Sequence, residues 1–214
     1  MNGKIQEIRE NEVHIWFARI DRESVDPCSD LLTSEELARA ERFRSNRDRL
    51  AFLFARTTLR KLLAGYLGCD PRELSIAYNP HGKPYLNEAD LKFNLSHSHD
   101  AVFYAFVKDR EIGIDMESLD RKTDYLGLAK RFFTREEAQM LQAVPTELLA
   151  SSFFRLWTSK EAYVKARGKG LQLSLRAPVE PGWSVSQLNA GEQYAAALAI
   201  EGEPCRIKQF SWNQ

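Results

Sequence analysis

The chain has 214 residues, of which 43% are hydrophobic and 28% charged, an ordinary globular composition with enough apolar mass for one domain or two small ones. Thirty Lys plus Arg balance thirty Asp plus Glu, so global charge gives no support to a nucleic-acid partner. Cys28, Cys69 and Cys205 lie too far apart in sequence to suggest a zinc site or a disulfide framework. The N-terminal stretch lacks the basic segment and apolar run of a secretory signal, and no apolar run reaches membrane-spanning length. A cytoplasmic protein without membrane contact is expected.

In chain order, "VHIWFARI" (13–20) reads as a buried strand. Thr33 with Glu36 forms a T-x-x-E capping box that opens a helix through "SEELARAERFR". Ser45 and Asn46 offer a second cap before a long helical pattern that stops at Gly68. "LSIAY" (74–78) reads as a strand and "NPHGKP" (79–84) as a turn. "KFNLSH" (92–97), "AVFYAFV" (101–107) and "IGIDMES" (112–118) follow as strands. The stretch from about 124 to 167 is helical, with breaks near Thr134 and at Pro145. "GWSVSQLN", "EQYAAALAI" and "CRIKQF" are expected to close the chain as an antiparallel meander. The class is α+β. The order of elements in the second half roughly repeats the first, without a visible residue-level repeat.

Chemistry concentrates in four segments. In "EIGIDMES", alternation puts Ile112, Ile114 and Met116 on one face and Asp115 and Glu117 on the other, with Gly113 leaving room beside them. That pattern also describes an amphipathic strand wetting its polar side. In "LWTSKEAYVKARGKGL" (156–171), Glu161 stands on the apolar stripe of Phe154, Trp157 and Val164, with Lys165 one turn on. A carboxylate on such a face demands a partner: either an ion pair with Lys165, or a cation shared with Asp115 and Glu117, for which Mg²⁺ suits an all-oxygen set. Ser96 and His97, in "FNLSHSHD", are placed to donate to a phosphate or to bond their own turn. No G-x-S-x-G elbow supports a hydrolase. Lys83 lies in a turn fixed by Gly82 and Pro84. Arg39 and Arg42 share a helix face that is either solvated or grips an anion.

These segments, in this order, resemble the 4′-phosphopantetheinyl transferases of the surfactin-synthetase (Sfp) type. The family's G-I-D-x-E stands here at 113–117, and its W-x-x-K-E-A/S-x-x-K helix at 157–165. "GKP" (82–84), "FNLSHS" (93–98), "RFFTREE" (131–137) and "GKGL" (168–171) also match, and the resemblance covers roughly residues 33–171. It implies transfer of the phosphopantetheine arm of coenzyme A, the co-substrate, to a serine of an apo acyl or peptidyl carrier protein, with adenosine 3′,5′-bisphosphate leaving. It implies metal ligands Asp115, Glu117 and Glu161 for Mg²⁺ (or Mn²⁺), with Lys165 balancing charge on the leaving phosphate. Glu161 is implied as ligand, as base for the serine proton, or as both.

By the same resemblance, Ser96 and His97 hold coenzyme A phosphates, Lys83 lies near the nucleotide and Arg39 meets the 3′-phosphate. Glu137 matches a family acid of open role. The implied architecture is two similar α+β halves with pseudo-two-fold symmetry and the active-site cleft between them. Residues 1–110 make the nucleotide-contacting half and 111–214 the half with the metal-binding and catalytic motifs. About a hundred residues precede Asp115, unlike the short, trimerising holo-acyl-carrier-protein synthase branch, so a monomer is expected. Two other readings are weighed. A kinase lacks its Walker loop and its H-R-D and D-F-G motifs here. A carrier-binding relative without catalytic activity is expected to have lost part of the acidic triad, and all three acids are present.

Overall fold

β-Branched and aromatic residues build the first strand, β1 (Glu12–Arg19), in the computed structural model, which describes residues 5–20, 29–87, 89–170 and 175–212. The helix α1 (Ser34–Ala40) starts at the expected capping box: the Thr33 hydroxyl accepts from the Glu36 amide at 3.2 Å, and the Glu36 carboxylate accepts from the Thr33 amide at 3.1 Å. It ends at Ala40, before the basic run that was read as its continuation. The long helix α2 (Asn46–Leu67) stops where Gly68 takes a left-handed conformation with φ 68°. A short hairpin of β2 (Ile76–Tyr78) and β3 (Pro84–Leu86) follows, its connection at 79–83 being the turn expected from the sequence, while β3 itself carries no clear strand signal.

Next come β4 (Leu91–Ser98), β5 (Ala101–Lys108) and β6 (Ile112–Ser118). Three helices succeed them: α3 (Tyr125–Phe132), α4 (Arg135–Gln142) and α5 (Thr146–Arg167). Thr134 and Glu137 form a second full capping box, and Gly168, with φ 62°, ends α5 as Gly68 ends α2. The chain closes with β7 (Trp183–Leu188), β8 (Tyr194–Glu201) and β9 (Arg206–Trp212). The expected meander holds only for β7 and β8. β9 leaves them and pairs in parallel with β1, giving sheets ordered β4-β5-β1-β9 and β6-β8-β7. Its register sets Trp16 beside Phe210, whose rings stack at 4.8 Å, so aromatic cover of the sheet edge favours the return over continued pairing with β8.

The sheets lie face to face between two long helices. On the outer face of the four-stranded sheet, Leu59, Leu62 and Leu63 of α2 pack on Phe93, Tyr104 and Phe106. Its inner face sets Val13, Ile15 and Phe103 against Ile112, Ile114 and Met116 of β6, the apolar side that alternation assigned. On the outer face of the three-stranded sheet, Ala162 and Ala166 of α5 meet Ala197 and Ala199 of β8.

That last contact is unusually close at β6. A Cβ on Gly113 would overlap the Ala162 carbonyl oxygen and the Ala166 backbone nitrogen. Glycine is therefore needed on the strand for the helix backbone to rest on it. Replacing it forces α5 away from β6 or leaves the core overpacked. Gly113→Ala is expected to lower stability by about 3 kcal/mol or more, or to prevent folding. Chemical denaturation followed by circular dichroism checks this, and a midpoint equal to that of the wild type would contradict it.

Candidate active site

The close seat of α5 brings its polar face against the polar face of β6. Asp115 is 6% exposed. Its Oδ1 accepts from the Lys165 ammonium at 2.6 Å and from the Ser96 hydroxyl at 2.9 Å, while its buried Oδ2 has no hydrogen-bond partner. Lys165 also donates to the Ser96 oxygen at 3.0 Å. The helical pair weighed in the sequence, Lys165 with Glu161, thus gives way to a bond across elements. Glu117 accepts from Arg121 at 2.9 Å through Oε1 and from Ser98 at 3.3 Å through Oε2.

Asp115, Glu117, Glu161, Lys165, Ser96 and His97 line one open cavity of about 430 Å³, with Trp157 on its wall. Burial raises the pKa of Glu161, and the nearby Asp115 and Glu117 carboxylates add to the rise against the pull of Lys165. Glu117 is raised in the same way, first by burial and then by Asp115, with Arg121 opposing. Three acids sharing a half-dry cavity hold more negative charge than one ammonium balances. His97 stands at the lip. The walls around its ring lower its pKa, and the Lys165 ammonium lowers it further, which favours the neutral imidazole.

Among the described residues, no group of three or more His, Cys, Asp and Glu side chains is drawn together tightly enough to hold a metal ion as placed. The acids share a cavity wall rather than a closed cage. Their chemistry nonetheless fits a hard divalent cation: the donors are carboxylate oxygens, one is a buried oxygen without a partner, and burial together with mutual repulsion raises the pKa of two of the three.

The remaining expected residues fall elsewhere. Arg39 lines a larger cavity of about 850 Å³ with Thr33, Glu36, Arg42, Tyr78 and Gly82. Lys83, expected near a nucleotide, lines a third cavity with Glu111 and Arg167. Its ammonium is committed to Glu111 at 2.7 Å and the Ala166 carbonyl at 2.8 Å, tying the hairpin to the end of α5. Within the acidic cavity, Ser96, expected to hold a phosphate, directs its hydroxyl to Asp115 while accepting from the Met116 amide. Glu137, whose role was open, closes the α4 capping box and pairs with Lys160 at 2.9 Å. Phe133 is buried, and Phe132 meets Trp157 edge to face.

Two residues escaped the sequence reading. Arg56, on α2, is 6% exposed with an unpartnered Nη1. Its guanidinium lies over Phe52 and Tyr78 at 5.5 and 5.3 Å, the same two rings that carry Arg39 at 5.5 and 5.7 Å. An arginine inside an otherwise apolar helical pattern, four residues from Phe52, is the signal that could have found it. Ser98 repeats Ser96 at strand period, which could likewise have flagged it.

A cavity of acids with a lysine, together with a second cavity lined by arginines, has the donor set of an enzyme that handles phosphate esters. The model of the 4′-phosphopantetheinyl transferase superfamily matches residues 111–212, and that of the 4′-phosphopantetheinyl transferase N-terminal region matches residues 21–108. The 4′-phosphopantetheinyl transferase HetI of Nostoc sp. is 38% identical over 222 residues, covering 95% of this chain and 90% of that protein. A 4′-phosphopantetheinyl transferase of Bacillus subtilis is 34% identical over 86% of this chain and 78% of its own length. The transferase Sfp of the same species is 29% identical over 89% and 82% respectively. The chain belongs to the 4′-phosphopantetheinyl transferase family. No helix among the described residues is long and apolar enough to cross a membrane.

A buried guanidinium with an open donor stabilises a bound anion at a cost to the anion-free protein. Pyrophosphate is therefore expected to raise the melting temperature of the wild type. Arg56→Met should melt at or above the wild type in anion-free buffer and lose most of that rise. A full pyrophosphate response in Arg56→Met, read by differential scanning fluorimetry, would contradict the assignment.

Proposed function

We propose that the chain transfers the 4′-phosphopantetheine group of coenzyme A to a serine hydroxyl of an apo carrier protein, releasing adenosine 3′,5′-bisphosphate. The observation that carries this reading is the meeting of Asp115, Glu117, Glu161 and Lys165 at one cavity. The names of the relatives support it. Asp115, Glu117 and Glu161 would hold Mg²⁺, which neutralises charge on the diphosphate when bound, and Mn²⁺ suits the same oxygen set.

The chain's own residues do the rest. Lys165, anchored on Asp115 and Ser96, presents a point charge to the departing phosphate. A neutral His97 at the lip donates a hydrogen bond to a phosphate oxygen. The carrier serine oxygen forms a bond to the phosphorus bearing pantetheine and passes its proton to Glu161. The bond from that phosphorus to the bridging oxygen breaks, and the oxygen leaves with the electron pair on adenosine 3′,5′-bisphosphate. Arg39 supplies cationic surface for the nucleotide end of coenzyme A, toward the 3′-phosphate, and the buried Arg56, against the same Phe52 and Tyr78 rings, adds positive charge behind it. Ser96 acts through Asp115, and Lys83 as a structural tie.

The two-halved, pseudo-symmetric organisation is part of the same reading. It is supported by a capped short helix, a 22-residue helix and a left-handed glycine that recur as α1, α2, Gly68 and as α4, α5, Gly168. The two family matches, meeting between residues 108 and 111, support the same division. The β9 strand is then lent by the second half to the sheet of the first. One chain supplies both sides of the cleft, which fits a monomer acting in the cytoplasm.

Incubation with coenzyme A, Mg²⁺ and a panel of apo carrier proteins should add one phosphopantetheine to at least one carrier by mass spectrometry. Asp115→Ala and Glu161→Ala should each lower kcat/KM by at least ~10²-fold with the circular dichroism spectrum unchanged. No mass gain on any carrier, or near-normal turnover by either variant, would sink the proposal. Arg39→Ala is expected to raise KM for coenzyme A by about tenfold or more, and for 3′-dephospho-coenzyme A far less. Equal effects on both would remove Arg39 from the 3′-phosphate.

A further inference from the structure

β4 and β6 are edge strands of different sheets, yet the amides along one edge of β6 are not left bare. Ile114 donates to the Asn94 side-chain oxygen at 2.9 Å, Met116 to the Ser96 hydroxyl at 3.2 Å, and Ser118 to the Ser98 hydroxyl at 3.0 Å. Each acceptor lies 20 residues before its donor, so β6 runs parallel to β4 in a fixed register. Side chains of β4 here do the work that carbonyls do in a sheet.

A hydroxyl has one proton and two lone pairs. Once its oxygen is fixed by an incoming amide, the proton is left to point at one neighbour. Ser96 gives it to Asp115 at 2.9 Å and Ser98 gives it to Glu117 at 3.3 Å, each the residue just before its amide donor. At the first rung the corresponding neighbour is Gly113, which has no side chain to orient, and there the acceptor is an amide rather than a hydroxyl. Serine stands where a carboxylate follows, and asparagine where none does.

We propose that Ser96 and Ser98 are positioning residues for metal binding: each ties the β6 backbone and aims the adjacent carboxylate, while Asn94 sets register alone. The inference rests on the metal reading of Asp115 and Glu117 given above. Orienting partners of ligating carboxylates typically govern affinity by ~10–100-fold, and the hydrogen-bonded hydroxyl reduces the number of directions in which each acid can point.

Mn²⁺ binding, by electron paramagnetic resonance with and without coenzyme A, tests this independently of turnover. Ser98→Ala is expected to weaken Mn²⁺ by about tenfold or more and to raise the Mg²⁺ concentration for half-maximal rate in parallel. The rate at saturating Mg²⁺ should fall much less. Ser98→Thr, which keeps the hydroxyl, should restore the affinity. Asn94→Ala should lower the melting temperature about as much as Ser98→Ala while leaving Mn²⁺ affinity unchanged. If the wild type binds Mn²⁺ and Ser98→Ala binds it equally well, the positioning role is overturned while the metal reading stands. Equal losses of affinity in Asn94→Ala and Ser98→Ala would reduce the serines to register devices. A wild type that binds no Mn²⁺ under either condition would overturn the metal reading and the inference together.

Discussion

The backbone of α5 rests directly on β6 at Gly113, and the chemistry of the site depends on that distance. The Ala162 carbonyl and the Ala166 amide occupy the space a side chain at 113 would fill. With any residue larger than glycine, the helix would ride outward, and Lys165 would lose its 2.6 Å contact with Asp115. The glycine of G-I-D-x-E and the alanine of K-E-A are two sides of one contact. Sequence motifs that read as chemistry are partly motifs of close packing.

What that packing brings together is electrostatically costly. Three carboxylates share a cavity with a single ammonium, and repulsion adds to burial in raising Glu117 and Glu161. Such an arrangement lowers stability unless a cation offsets it. In this structure Lys165 carries part of that role at Asp115. The buried Nη1 of Arg56, which has no hydrogen-bond partner, is the opposite imbalance, a cationic donor left unmet. Excess negative charge in one cavity and arginines lining another are complementary to a divalent cation and to phosphate groups respectively.

Local signals in the sequence were reliable where the physics is local. Both T-x-x-E boxes open short helices, α1 and α4, and left-handed glycines end the two long ones, α2 and α5. Alternation sorted β6 correctly because its two faces meet two different layers, one apolar and one polar. The parallel return of β9 to β1 was not legible, because strand pairing between residues about 190 positions apart depends on tertiary closure rather than on neighbours. The ties that Lys83 makes were hidden for a related reason. A turn lysine looks solvated until the end of α5 supplies a carbonyl and Glu111 a carboxylate. Ser98 and Arg56 could be flagged by spacing, but their roles needed the third dimension: one faces a strand 20 residues away in sequence, the other lies over rings of two separate elements.

The central claim is that α5 and β6 are pressed together so that three carboxylates from two elements share one divalent ion. An anomalous difference map from crystals grown with Mn²⁺ and coenzyme A tests it most directly. The account requires a single strong peak bonded to oxygens of Asp115, Glu117 and Glu161, with Lys165 beside the diphosphate. A peak ligated by other residues, or three carboxylates pointing away from the bound ion, would contradict it.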